Sequence, residues 1–162
     1  MIIYLDFDGV LHHENVVWIH GKGIRMCEAG HALFEWEPVL VQLLAPYPQV
    51  RIVLSTSWVR VKSFSHAKGR LSKPLSSRVI GSTFHSAQMD RDEFSRMSRG
   101  GQVVADATRR QNSNWLALDD DGDGWPIAHR KRLVHTNEEF GISDIDKQKQ
   151  ICPWLEHNHQ MR

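Results

Sequence analysis

The stretch Ile2-Ile3-Tyr4-Leu5-Asp6-Phe7-Asp8-Gly9-Val10-Leu11 decides the fold. A short, largely apolar run that stops abruptly at a carboxylate reads as a parallel strand covered on both faces, its carboxyl end opening into a turn. Gly9 lets the backbone bend sharply in that turn. Working outward, Val50–Leu54 and Trp115–Leu118 are runs of the same kind, Val79-Ile80 is a short one and Leu133-Val134 a weaker one.

Between the first two runs, Trp36, Val39, Leu40, Leu43 and Leu44 recur at helical spacing, and Pro46 and Pro48 end the helix. A second helix is expected within Trp58–Lys68 and a third from Arg99 to Gln111. A last helix should start at Ser143, where Ser143-Asp144-Ile145-Asp146 resembles a capping box, and run to about Leu155, with residues 156–162 as a frayed tail. Strands alternating with helices predict an α/β, Rossmann-like parallel sheet with helices on both faces and no large cap. Residues 12–35 have no steady period and interrupt a strand-to-helix connection, so they read as a flap over the site. Phe84 to Ser98 has no assignable pattern.

At 162 residues the chain fits one domain, expected over residues 1–162, and 41% hydrophobic with 24% charged residues is the composition of a globular protein. No apolar run approaches the ~20 residues of a bilayer span. The apolar start lacks a basic lead-in, so a cytoplasmic location and no membrane partner are expected. Cys27 and Cys152 are too few for a disulfide framework. A net charge of +1 does not mark a nucleic-acid binder, although Arg60, Lys62, Lys68, Arg70, Lys73 and Arg78 follow one another without an acid. A solvated surface is the plainer reading of that run.

In an open α/β sheet, ligands bind beyond the carboxyl ends of the strands. Asp6 and Asp8 follow the first strand, Ser55-Thr56-Ser57 the second, and Asp119-Asp120 close the one that begins at Trp115. Four carboxylates at one edge would raise one another's pKa unless a cation lay between them, and Mg2+ is a hard ion suited to such oxygens.

In this context Asp6-Phe7-Asp8-Gly9-Val10-Leu11 resembles the DxDGxL opening signature of the haloacid dehalogenase superfamily, and the chain is most like the short domain of that type found in multidomain RNA repair proteins. The resemblance implies a Mg2+-dependent phosphatase in which Asp6 attacks phosphorus and Asp8 protonates the leaving oxygen, then activates water. Thr56 would be the second-motif hydroxyl, with Ser57 beside it and Ser55 as the alternative. Arg99, followed by Gly100-Gly101-Gln102, matches the third-motif cation; Arg91, Arg96, Lys68 and Lys73 are the other candidates. Asp119 and Asp120 match the acidic metal motif, Asp119 reaching the ion beside Asp6 and the backbone carbonyl of Asp8, with Asp123 holding a metal-bound water. Gly9, Ser57 and His12 are expected at the substrate, a small phosphate monoester or a phosphorylated nucleic-acid end. The protein is expected to be a monomer or weak dimer.

Two rival readings remain. Asp119-Asp120-Asp121-Gly122-Asp123-Gly124 also looks like a calcium loop, although Pro126 and Arg130 stand at its eighth and twelfth positions, where Arg130 replaces the needed Glu. A non-catalytic phosphate-binding domain is the other, against which Asp6 and Asp8 argue. The ten histidines show no zinc spacing.

Overall fold

The computed structural model describes residues 1–160. Strand β1 (Ile2–Leu5) is followed by a hairpin, β2 (Val16–Ile19) and β3 (Gly23–Met26), then by α1 (Glu37–Leu44) and β4 (Arg51–Leu54). Three short helices come next, α2 (Trp58–Val61), α3 (Phe64–Arg70) and α4 (Lys73–Ser76), before β5 (Val79–Ser82). The second half runs α5 (Arg91–Arg96), α6 (Arg99–Arg109), β6 (Trp115–Asp119), β7 (Leu133–His135) and α7 (Ile145–Gln160).

Five strands form one sheet in the order β5-β4-β1-β6-β7, every pair parallel. The chain starts in the middle, walks to one edge and returns to the other side of β1. The order therefore reverses beside β1, and a ligand crevice belongs at its carboxyl end, between β1 and β6.

Alternation along β1 feeds two cores. Ile3 and Leu5 pack with Leu40 and Leu44 of α1 and Ile151 and Leu155 of α7. Ile2 and Tyr4 face the other way, toward Val103 and Ala107 of α6. Helices thus cover both faces, which is why the strands read as continuous apolar runs rather than alternating ones.

The α6 side is also pinned by a buried polar knot. The Tyr4 hydroxyl donates to Asp106 Oδ2 at 2.9 Å, and Arg109 and Arg110 each reach the same carboxylate at 2.5 Å. Burial and the adjacent Asp106 carboxylate push the Tyr4 phenol upward, so it stays a donor.

Several elements depart from expectation. The helix expected within Trp58–Lys68 is broken at Lys62, whose φ of −118° and ψ of −86° are not helical. Ser63 then caps a new helix by accepting from the His66 amide at 3.0 Å. At α7 it is Asp144 that accepts, from the Asp146 amide at 2.8 Å, while the Ser143 hydroxyl turns back to the Phe140 carbonyl. That helix passes Leu155 and reaches Gln160, because no glycine or proline follows Leu155 to stop it; Met161 and Arg162, the end of the expected tail, lie outside the described residues. The unassigned stretch from Phe84 to Ser98 contains α5, capped by Asp90. Among the described residues no helix is long and apolar enough to cross a membrane.

Removing the Asp106 carboxylate leaves the buried Tyr4 hydroxyl without its acceptor. We expect Asp106→Ala to lower unfolding free energy by about 2–3 kcal/mol in urea titration. A loss below about 0.5 kcal/mol would show that the knot does not hold α6.

Candidate active site

The sheet register sets the site. Asp6 is the first residue past β1, its amide bonded to the Leu118 carbonyl at 3.1 Å, and Asp119 ends the neighbouring β6. Both side chains are buried. One carboxylate oxygen from each of Asp6, Asp119 and Asp120 lies within 4.8 Å of the others. Gly9 permits this approach: its φ is +67°, and a Cβ there would sit 2.1 Å from Asp120 Oδ2. The Thr136 hydroxyl donates to the Gly9 carbonyl at 2.8 Å and holds the turn down. The structure thus gives Gly9 a backbone task at the acids.

Of the candidate cations, the fold brings Arg99 to the acids. Its Nη2 donates to Asp6 Oδ2 at 3.0 Å, its Nη1 donates to the Ser55 carbonyl, and its Nε lies 3.3 Å from Asp119 Oδ2. A cation on the first turn of a helix opposes the macrodipole, so α6 accepts a local cost that these carboxylates offset. Ser98 stabilises the same turn, accepting from the Gly101 amide at 3.1 Å and donating to the Gly124 carbonyl at 2.9 Å. Lys68 is engaged elsewhere, with the Val79 carbonyl, and Arg91, Arg96 and Lys73 are exposed on other helices.

Electrostatics at the cluster are unfavourable as they stand. Burial raises the Asp6 carboxyl, Arg99 opposes it and Asp8 adds to it; the Phe7 amide and the Thr56 hydroxyl favour the anion. Burial and then Asp6 hold Asp119 well above the usual carboxylate range, and the same two causes push Asp120 up to about 7. Burial alone would lower Arg99, but Asp6 and Asp119 outweigh it and the net direction is upward. Three carboxylates face one guanidinium, so two negative charges are in excess when all are ionised. Asp119 Oδ2 is buried without a hydrogen-bond partner, since the Arg99 Nε contact lacks hydrogen-bond geometry. An all-oxygen donor set, a charge excess of two and an unpartnered buried oxygen fit a hard divalent cation.

Asp8 stands apart from that triad. Its Oδ1 accepts from Trp58 Nε1 at 2.9 Å and from His12 Nε2 at 3.0 Å. The Phe34 amide donates to His12 Nδ1 at 3.2 Å, which fixes the tautomer with hydrogen on Nε2. His12, expected at the substrate, is fully buried, its ring against Phe34 and Trp58, and both nitrogens are used. Among the described residues the Asp8 side chain does not join the converging acids; the ligand expected from this residue is its backbone carbonyl. Trp58 is a site residue that sequence reasoning missed; its place directly after Ser55-Thr56-Ser57 was the available signal.

The three hydroxyls separate in role. The Thr56 hydroxyl favours the Asp6 anion and accepts from the Trp58 amide at 3.3 Å. Ser55 presents its carbonyl to Arg99, while its buried hydroxyl has no hydrogen-bond partner. Ser57 precedes α2 and makes no capping bond with its side chain. Asp121 and Asp123 are exposed, the Asp121 carboxylate accepts from the Asp123 amide at 2.9 Å, and neither joins the converging acids among the described residues.

The hairpin segment reaches the same end of the sheet. Glu14 adds to the negative field on Asp120, and the Trp18 ring lies 5.0 Å from Lys62 Nζ.

A family model for the HAD domain in Swiss Army Knife RNA repair proteins matches residues 2–147. No curated protein and no solved structure matches the chain.

Protons and a cation relieve the same repulsion, which gives a pH signature. With Asp120 at about 7 folded against 3.8 unfolded, its contribution to stability is fully present below the unfolded value and is lost as pH rises toward 7. Added Mg2+ at a hundredfold excess over Kd is expected to raise Tm by about 5 °C or more at about pH 8 and by clearly less at about pH 5.5, read by scanning calorimetry. Equal shifts at both pH values would contradict this reading.

Proposed function

Because the chain belongs to the family of HAD domains found in Swiss Army Knife RNA repair proteins, we propose that it hydrolyses phosphate monoesters, with Asp6 as nucleophile and Mg2+ as cofactor. The observation that carries the reading is the convergence of Asp6, Asp119 and Asp120, unbalanced by two charges, beside a separately held Asp8. Asp6, Asp119 and Asp120 would hold the cation, which when bound neutralises charge on the phosphoryl oxygens.

The chain's own groups divide the remaining work. An Asp6 oxygen attacks phosphorus as the bond to the leaving oxygen breaks, forming an aspartyl-phosphate. Both hydrogen bonds to Asp8 fall on Oδ1, so Oδ2 is the oxygen free to pass a proton to the departing oxygen. Deprotonated Asp8 then takes a proton from water as that water attacks the phosphoryl group, releasing inorganic phosphate and restoring Asp6. Arg99 orients Asp6 and meets developing negative charge, and the Thr56 hydroxyl is the donor beside the reacting group. Ser57, one residue on at the entrance to α2, offers a second hydroxyl to the substrate. His12 and Trp58 act through Asp8 as positioning residues.

As substrate we propose a phosphorylated nucleic-acid end. The family description supports it, and among the described residues no large cap closes over the strand ends, which leaves room for a long substrate.

Turnover of p-nitrophenyl phosphate with Mg2+ tests the reaction. Asp6→Asn should reduce kcat by about three orders of magnitude or more while leaving the far-ultraviolet circular dichroism spectrum intact. An Asp6→Asn protein that keeps wild-type kcat would refute the assignment. Trp58→Phe removes one hydrogen bond and little volume. We expect it to lower kcat about tenfold with KM nearly unchanged. A change confined to KM would assign Trp58 to substrate binding instead.

A further inference from the structure

A concavity beside α2 carries the charge opposite to that of the acid cluster. Between α2, the start of α3 and the segment joining β5 to α5 lies a cavity of about 620 Å3, within the range of small-molecule sites. Arg60, Lys62 and Arg91 line it together with His85, and among the described residues that line it none is acidic. Phe64 and Met89 add an apolar wall.

The cavity is coupled to the catalytic end through α2. Trp58, the first residue of that helix, holds Asp8, and Val59 and Arg60 directly after it face the cavity. Arg60 is held in place by the Ser95 hydroxyl at 2.5 Å and by the Phe94 ring 5.9 Å from its guanidinium carbon. Burial and then Arg99 and Arg91 lower its pKa, while Asp6 acts the other way, so the guanidinium lies within the field of the reacting groups. Lys62 sits toward the half-exposed Trp18 of the hairpin.

Three of the remaining cations of the basic run are committed elsewhere, and Lys73 is exposed on α4. Lys68 donates to the Val79 carbonyl, Arg78 to the Leu44 and Tyr47 carbonyls, and Arg70 lies over the Phe34 ring. The run is therefore not one solvated face: Arg60 and Lys62 are turned into a pocket with Arg91.

A basic pocket with an apolar wall suits a ligand that carries both phosphodiester charge and a base with a π face. We propose that this cavity is the subsite for the nucleotide next to the scissile phosphate of a single-stranded nucleic-acid end. Arg60, Lys62 and Arg91 take the phosphodiester oxygens, and Phe64 and Met89 take the base. The assignment rests on the phosphohydrolase reading of the acid cluster and adds the substrate's second point of attachment.

The test is fluorescence anisotropy of a labelled, unphosphorylated single-stranded hexanucleotide with the full chain, wild type and Lys62→Glu/Arg91→Glu. Both reversed residues are exposed, and circular dichroism checks the fold. The double variant should bind at least about tenfold more weakly near 0.1 M salt, with the slope of log affinity against log salt shallower by about 0.7 for each lost phosphate contact. Phe64→Ala should weaken binding and leave that slope unchanged. A wild type that does not bind the hexanucleotide, or a double variant that binds like wild type, overturns the subsite. Since p-nitrophenyl phosphate carries no nucleotide, loss of the subsite with that turnover intact leaves the phosphatase reading standing; absence of that turnover in wild type removes the reading beneath it.

Discussion

Buried like charge is the constraint on which the rest of the structure depends. Adjacent parallel strands place Asp6 and Asp119 at equivalent ends, and the next residue, Asp120, closes a group whose oxygens lie within 4.8 Å. Out of water such acids repel strongly, and their raised pKa values are the direct expression of it. Arg99 supplies one positive charge, at the unfavourable end of its own helix. The surrounding glycines serve this arrangement: Gly9 lies against Asp120, and a Cβ at Gly100 would come within 2.8 Å of Trp125, which holds the acidic turn through the Asp121 carbonyl.

Asp6 and Asp8 are two residues apart yet occupy different environments. Asp6 is buried among charges, whereas the Asp8 side chain is 25% exposed and takes its partners from neutral donors. Those donors come from an aromatic cluster in which Phe7, Phe34 and Trp58 meet edge to face at 5.2 to 5.6 Å. The segment after the hairpin delivers Phe34 in a left-handed conformation, φ 62°, so that its amide can fix the His12 tautomer. In the proposed reaction, dividing two carboxyl groups between such surroundings lets the same functional group serve attack and proton transfer.

The sheet was legible because strands buried on both faces leave unbroken apolar runs, and Ile2–Leu5, residues 52–54 and residues 115–118 did so. The acids were legible because they interrupt those runs at one end. The break at Lys62 and the short helix Arg91–Arg96 were not, since each has fewer than two turns of periodicity and depends on local caps at Ser63 and Asp90. The Trp58–Asp8 bond joins residues 50 apart, marked locally only by the place of Trp58 after Ser55-Thr56-Ser57, and the burial of His12 follows from a loop folding over it; both are set by tertiary contacts. His12 therefore looked like a substrate contact while serving as a buried support for Asp8.

The central claim is that Asp6, Asp119 and Asp120 together hold one divalent cation. Calorimetric titration of Mg2+ into the wild-type chain and into Asp119→Asn tests it most directly. The account predicts one ion per wild-type chain and an affinity at least about tenfold weaker in the variant, since a metal ligand is lost. Equal affinity in the two proteins, or no ion bound by wild type, would contradict it.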